Sequence, residues 1–418
     1  MKAVVFSLGC KVNQCEGQSI ISDFEELGVA ATDILEFADV YVINTCSVTG
    51  EADRKSRQTV ARVLKLNPNA AVYVCGCSSQ NDYTAFTDKP NVRLIFGTAD
   101  KSSLARRIIS DLSSEHAPAC EVAELPKTYE ESTVPEHTKT RAYVKIQDGC
   151  NNFCSYCIIP YLRGRSRSRS IDSILSETTL AAKSTKEIVL TGIDASSYGK
   201  DIGESITSLV KKLGGIDERK RFGSLECTVI DEELLEAMAE NGFCDHFHLS
   251  LQSGSESVLK RMNRKYTPEY FISKVELIRS VFPHAGITTD VIAGFGGETE
   301  EEYAQTVEFV KKVGFSEMHV FPYSERKGTL ACSLPQIPKA LRQHRANELI
   351  EIGKKLQSEF LDGEIGRRAT VYAETEESGF TVGYTSNYIK VYSTVPIGSM
   401  EEITITEKFK EGVKGERI

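Results

Sequence analysis

Cys150, Cys154 and Cys157 stand in the spacing C-x3-C-x2-C and constrain this chain more than any other feature, because the fold must bring three sulfurs round one inorganic centre. Three thiolates so spaced grip three corners of a [4Fe–4S] cluster and leave the fourth iron open for a further ligand. The competing ion is zinc, which usually takes four protein ligands, often as two C-x2-C pairs. No second pair follows nearby, so zinc here would be a catalytic ion with an open position.

With 418 residues the chain exceeds what one hydrophobic core usually supports, and two or three domains are expected. No apolar run approaches a membrane span. The short start Met1 to Gly9 is interrupted by Lys11 with no small-residue cleavage site behind it, which predicts a cytoplasmic protein without a membrane partner. In that compartment thiols stay reduced, so the twelve cysteines point to metal binding rather than disulfides. A net charge of −9 argues against non-specific coating of nucleic acid. One stretch runs the other way. From Lys139 to Arg169 seven basic residues face the single acid Asp148, and Arg163, Arg165, Arg167 and Arg169 follow closely on the third cysteine. They are candidates for RNA phosphate contacts near the mouth of the site, the alternative being a solvated loop.

Apolar runs alternate with helical patterns over residues 1–112, as in an α/β domain of flavodoxin-like type. Strands are expected at Lys2–Ser7, Val40–Asn44, Ala71–Val74 and Val92–Ile95, with a helix over Glu51–Leu66 that stops at Asn67-Pro68-Asn69. Residues 113–138 lack periodicity and read as a linker. Over 139–360 six further strands are expected, at Ala142–Ile146, Glu187–Leu190, Ser224–Val229, His246–Leu251, Ile287–Ile292 and Glu317–Phe321. Six βα repeats predict a partial (β/α)6 barrel rather than a full eight-fold one. Over 361–418 short strands with Gly turns predict a small β-barrel, with strands at Ala369–Ala373, Phe380–Thr385, Tyr388–Tyr392 and Glu402–Thr406.

Cys10, Cys46 and Cys77 each come just after an expected strand of the first domain. Loops at the carboxyl ends of an open parallel sheet gather along one edge, so these thiols can converge on a second metal site. Three small buried core cysteines are the alternative. Cys15, Cys120, Cys227, Cys244 and Cys332 have no such context.

Taken together, Gly9-Cys10-Lys11-Val12-Asn13-Gln14, Asn44-Thr45-Cys46-Ser47-Val48-Thr49, Gly76-Cys77, Lys145-Ile146-Gln147-Asp148-Gly149-Cys150 and Cys157-Ile158-Ile159-Pro160-Tyr161 resemble the radical S-adenosylmethionine (SAM) methylthiotransferases over essentially the whole chain. The resemblance implies an amino-terminal methylthiotransferase domain, a radical-SAM partial barrel and a carboxyl-terminal TRAM barrel. It also implies two [4Fe–4S] clusters, one on Cys150, Cys154 and Cys157 and an auxiliary one on Cys10, Cys46 and Cys77, with Cys75 an extra thiol beside the last. The two cluster sites are expected to face each other across one cavity.

Family branches act on isopentenyladenosine in tRNA, on a ribosomal-protein aspartate, or on threonylcarbamoyladenosine in tRNA. Gly9 to Gln14 and Gly383-Tyr384-Thr385-Ser386-Asn387-Tyr388 resemble the last. That implies methylthio transfer to C-2 of the modified adenosine at tRNA position 37. The anticodon loop is the implied macromolecular partner, with an electron donor such as flavodoxin or ferredoxin and a sulfur source. Implied SAM contacts are Tyr156, Gly192, Asp194, Ser250, Gln252, Ser253, Asp290, Ile292, Ser324 and Arg326, with cluster packing the alternative for Tyr156 and surface placement for Ser324 and Arg326. Tyr384 and Tyr388 either stack a base or pack. The non-enzymatic alternative is an iron–sulfur redox sensor that binds RNA.

Overall fold

The computed structural model describes residues 1–113, 119–137 and 140–418. Lys139 of the basic stretch, and residues 114–118 and 138 of the expected linker, lie outside the described residues.

The amino-terminal strands are β1 (Lys2–Ser7), β2 (Ala30–Thr32), β3 (Val40–Thr45), β4 (Ala71–Gly76), β5 (Val92–Phe96) and β6 (Ala119–Glu121), all parallel in the order 2-1-3-4-5-6. Every residue of β3 is buried, as a parallel strand covered on both faces requires. The helix Lys11–Glu26 lays Ile20 and Phe24 on one face with Val5 and Val42, whereas Gly50–Leu66 lays Val60 and Val63 on the other with Val4 and Ile43. The chain therefore changes side between β1 and β3, which makes the gap between those strands the topological switch point. Thr49 starts the second helix: its hydroxyl accepts from Ala52 N at 3.1 Å, with Glu51 and Asp53 in the first turn.

β2 and β6 were not expected, being too short to show an apolar pattern. β6 falls inside the stretch read as a linker, which also docks: Thr133 bonds Asp23 at 2.5 Å, and the Tyr129 hydroxyl donates to Lys145 O at 3.1 Å. A polar segment without periodicity binds through isolated hydrogen bonds that no repeat announces.

The central strands are β7 (Arg141–Asp148), β8 (Arg167–Ser168), β9 (Glu187–Gly192), β10 (Arg219–Phe222), β11 (His246–His248), β12 (Gly286–Ala293) and β13 (Glu317–Pro322). β7-β9-β10 and β11-β12-β13 run parallel and are joined by a bridge from Leu225 to Leu249, giving six parallel strands of a partial barrel; β8 adds antiparallel to the edge of β7. The third strand lies earlier than Ser224–Val229, where Cys227–Val229 forms a 3-10 turn. Arg219-Lys220-Arg221 does not read as a buried strand, yet each cation finds a partner: Arg219 meets the carbonyls of Tyr384 and Thr370, Lys220 that of Ile216, and Arg221 the Glu187 carboxylate at 2.9 Å.

After the long helix Lys339–Glu364 come β14 (Arg368–Glu377), β15 (Phe380–Thr385), β16 (Lys390–Ser393), β17 (Met400–Phe409) and β18 (Gly412–Arg417), closed in the order 14-15-16-18-17 around Val371, Val391, Ile403, Ile405 and Val413. This barrel plugs the amino-terminal ends of the central strands. Tyr388 stacks on His246 at 4.7 Å and under the Arg221 guanidinium at 3.9 Å, and stacks with Tyr384 at 4.7 Å. A Cβ on Gly286 would meet Asn387 O at 2.1 Å. Both tyrosines therefore pack between domains. Among the described residues no helix is long and apolar enough to cross a membrane.

Two buried clamps join the first and central domains. Arg163, 1% exposed, donates to Glu16 at 2.8 Å, Asp148 at 3.0 Å and Asn13 at 2.6 Å; Lys145 reaches Glu16 at 3.0 Å and Asp148 at 2.6 Å, and Lys101 also pairs with Glu16. Burial alone would raise the Glu16 carboxyl, but Arg163, Lys101 and Lys145 outweigh it and hold it well below the usual range. Farther along, Arg326 donates to Ser47 at 2.6 Å and pairs with Asp53, while Gly50 N donates to the Ser324 hydroxyl at 3.1 Å. Arg163→Met leaves two buried carboxylates short of a partner and should destabilise the protein by about 3–5 kcal/mol; a urea midpoint unchanged from the unsubstituted protein would contradict this.

Candidate cysteine-lined active site

Cys10, Cys46 and Cys77 follow β1, β3 and β4, three neighbouring strands, at their carboxyl ends beside the switch point. Two glycines allow the approach. A Cβ on Gly9 (φ +88°) would lie 2.3 Å from Cys46 Sγ, and one on Gly76 (φ +100°) would lie 2.5 Å from Thr45 O. Burial pushes the Cys46 thiol up to about 12, with Cys10 and Cys77 adding to it; burial also raises Cys10, with Cys77 again contributing. Cys10 and Cys46 thus sense their neighbours. Cys75 belongs elsewhere. The turn at Gly76 separates it from Cys77, and its thiol lies in the core with Val42 and Phe96, 3.6 Å from Asn44 Oδ1.

The second trio occupies the loop after β7. Gly149 (φ +70°) lets that loop pass Arg165, whose carbonyl oxygen would sit 2.0 Å from a Cβ, and Cys150 N donates to Gly164 O at 3.1 Å. Cys157 N donates to Cys154 O at 2.9 Å and closes the turn. Burial pushes Cys157 up to about 12, and both Cys154 and Cys77 add to the rise. The last contribution crosses the domain boundary. Cys77 and Cys157 share one apolar cluster with Ile158, Ile159, Leu162 and Ile193, so the two trios face each other.

Among the described residues no three His, Cys, Asp or Glu side chains converge as ligands of a single ion would. A cubane asks for a different arrangement, each thiolate on its own iron, and hydrogen bonds to sulfur tune it. Such donors are present: Arg163 Nε lies 3.4 Å from Cys77 Sγ, Arg264 Nη1 3.4 Å from Cys154 Sγ, and Asn152 N 3.4 Å from Cys150 Sγ. All-sulfur donor sets with arginine donors and glycine-made room fit iron–sulfur clusters.

Most of the expected SAM contacts gather on the barrel rim. Asp194 accepts from Asn152 at 3.2 Å and lies 3.7 Å from Cys150 Sγ; burial, then Glu226, raises its carboxyl. Gly192 makes room for Gln147, whose amide oxygen accepts from Asp194 N at 2.8 Å. Tyr156 packs edge-on to Phe295 at 6.4 Å, beside Ile292. Gln252 (φ +69°) exchanges backbone bonds with Asp290 and Ile292, at 2.8 and 2.9 Å. Asp290 also meets His248 at 3.2 Å; the Ser250 carbonyl takes the Tyr266 hydroxyl at 2.6 Å, and Ser253 is buried against Thr306. Ser324 and Arg326 instead have their side chains committed to the domain clamp, Arg326 being buried there rather than at the surface.

The arginine run departs from its expected role. Arg163, Arg167 and Arg169 are buried, on Glu16 and Asp148, on Asp148 with the carbonyls of Arg163 and Arg165, and on Glu177 with Glu131. Glu16 comes from the first domain and Glu131 from the segment read as a linker, while Asp148 and Glu177 lie within about twenty residues of the arginines they meet, at spacings that mark no pairing in the sequence. Only Arg165 of the four is exposed, its guanidinium 4.5 Å over Phe153. Sequence reasoning also missed Arg264 and Glu16, since neither lies in a motif that marks it.

Comparison with known proteins follows the same division of the chain. Residues 144–310 match the radical SAM superfamily, and residues 2–97 match UPF0004, a family described as uncharacterised. The fold resembles that of the radical S-adenosylmethionine methyltransferase TsrM from Kitasatospora setae, with a TM-score of 0.57 at 14% identity over 90% of this chain and 79% of that one. Fold and family matches together define a radical-SAM protein. At the level of sequence, the threonylcarbamoyladenosine tRNA methylthiotransferase MtaB of Bacillus subtilis is 39% identical over 94% of this chain and 90% of its own. The tRNA-2-methylthio-N6-dimethylallyladenosine synthase of a Thermoanaerobacter strain is 38% identical, over 84% and 77%. The chain belongs to the radical-SAM tRNA methylthiotransferase family.

Gly9→Ala drives a methyl group into Cys46 Sγ. Reconstitution of that variant should incorporate less iron and sulfide per chain than the unsubstituted protein. Gly203→Ala, also at positive φ but with open space around it, is the control and should incorporate as much.

Proposed function

We propose that this protein adds a methylthio group to C-2 of N6-threonylcarbamoyladenosine at position 37 of tRNA, with one [4Fe–4S] cluster on Cys150, Cys154 and Cys157 and another on Cys10, Cys46 and Cys77. The observation that carries the reading is the meeting of two cysteine trios from different domains at the Cys77, Cys157 and Ile193 cluster. The substrate follows the name of the Bacillus subtilis relative, which the chain matches nearly end to end. When bound, the clusters and SAM supply a 5′-deoxyadenosyl radical, able to attack an inert aromatic C–H bond, and a methylated sulfur to install there.

The chain's own residues supply the setting. Ile158, Ile159, Leu162 and Ile193 keep water from the space between the trios, and Arg163 and Arg264 direct N–H donors at sulfur on either side. Asp194 and Asn152, held together beside Cys150, offer a carboxylate and an amide to the amino and hydroxyl groups of SAM. For RNA, Arg165 over Phe153, with the 50% exposed Tyr161 edge-on at 5.4 Å, forms a cationic and aromatic patch beside the cysteine loop that suits an unstacked base and its phosphate. The reaction also calls for a one-electron donor of flavodoxin or ferredoxin type and a sulfur source.

Mass spectrometry of tRNA nucleosides from cells with and without the gene tests the reading. The 2-methylthio derivative of threonylcarbamoyladenosine should disappear on deletion; its persistence while methylthio-isopentenyladenosine vanishes would overturn the substrate. Cys154→Ala should abolish reductive SAM cleavage while the Cys10, Cys46 and Cys77 site keeps its iron.

A further inference from the structure

A cavity of about 330 Å3 lies where strands β10 to β13 of the partial barrel meet the helix Lys339–Glu364 and the carboxyl-terminal barrel. That is the lower end of the roughly 300–1,000 Å3 usual for ligand pockets. Its walls are mixed: Arg221 from β10, His246 and His248 from β11, Thr288 from β12 and Glu317 and His319 from β13 supply polar groups, while Phe222 and, from the long helix and the carboxyl-terminal barrel, Phe360, Leu361 and Ile389 supply apolar ones. Tyr388 lies at its foot. Lys11, the residue after Cys10, reaches in from the first domain, its Cδ 3.5 Å from the Cβ position of Gly223.

The cations of this cavity are not equivalent. Arg221 is tied to Glu187 and His246, and Lys390 to Glu377 and Glu411. His246 is buried beside Arg221, and both effects push its pKa well below the usual value and keep it neutral. His248 is paired with Asp290 and Thr288. Among the described residues the Lys11 amine makes no hydrogen bond or ion pair, although the Asp290 carboxylate attracts it from a distance, and the residue lines the cavity. An ammonium without a bonded partner in a pocket that also offers hydrogen-bonding groups suits a small ligand that carries a carboxylate together with hydroxyl or amide groups, and it gives a plain hydrocarbon nothing.

Resting on the substrate reading above, we infer that this cavity receives the threonylcarbamoyl group of the target adenosine, with Lys11 as the specificity-determining residue that binds its carboxylate. The position is apt. Lys11 is adjacent in sequence to Cys10, so a group held by its amine hangs from a base lying close to the trio of the first domain. An isopentenyl group offers no partner to Lys11, so burying it would strip that amine of water without return.

Binding to the full-length, cluster-loaded protein under anaerobic conditions tests this with three stem-loop RNAs, identical except at position 37: threonylcarbamoyladenosine, its carboxyl methyl ester, and isopentenyladenosine. The unsubstituted protein should bind the free carboxylate about ten-fold or more tighter than the ester, the value of one charge-assisted hydrogen bond. Lys11→Met should bind both alike, while Lys11→Arg should keep part of the preference, which shows that the loss is one of charge and not of fold. A full preference surviving in Lys11→Met overturns the assignment of Lys11 and leaves the substrate reading standing. Tightest binding of the isopentenyladenosine RNA by the unsubstituted protein overturns both.

Discussion

The guanidinium of Arg163 is the contact on which the rest of the arrangement depends. It is buried where the two domains meet, takes carboxylates from each of them in Glu16 and Asp148, and turns its remaining N–H toward Cys77 Sγ. A buried charge is tolerable only when paired and hydrogen-bonded, so Arg163 fixes the angle and distance between the domains by demanding all its partners at once. Arg is suited to this task because its planar fork serves several acceptors and keeps its charge when dehydrated. Lys101 and Lys145 complete the set from either side. The alignment of the two cysteine trios is thus set by electrostatics and secured by the Arg326 clamp farther out.

Topology explains why the trios are where they are. In the first domain the strands that carry Cys10 and Cys46 flank the point at which the chain changes side, the crevice where open α/β sheets bind ligands. In the partial barrel the cysteine loop follows the first parallel strand at its carboxyl end, the end at which barrel enzymes place their chemistry. Docking sets the two carboxyl edges against each other, with Cys77 of one and Cys157 of the other in a single apolar cluster.

Much of this was legible in the sequence, for reasons that can be traced. β1 and β15 match their expected limits because apolar or β-branched runs end at turns, and Cys10, Cys46 and Cys77 could be grouped because each followed such a run. What escaped depended on partners remote along the chain. Arg163 and Glu16 are 147 residues apart, and the nearer Asp148 and Glu177 stand at spacings that mark no pairing, so no local pattern announced that three of the arginines would be neutralised and buried instead of offered to phosphate. β10 was displaced because Arg219, Lys220 and Arg221 look solvent-facing until the carbonyls and the carboxylate that receive them are in place. β18, with two glycines and charged residues among six positions, exists because it closes a barrel, a condition no local pattern encodes.

Tyr388 and Asn387, seated at the amino-terminal ends of the central strands, have a consequence for traffic through the molecule. With the foot of the barrel stoppered, an approach that the described residues leave is the edge strand β13, where His319 is exposed and Phe321 is 48% exposed. A guest entering there passes these two side chains first, so the rim that meets it is an imidazole and an aromatic ring instead of backbone.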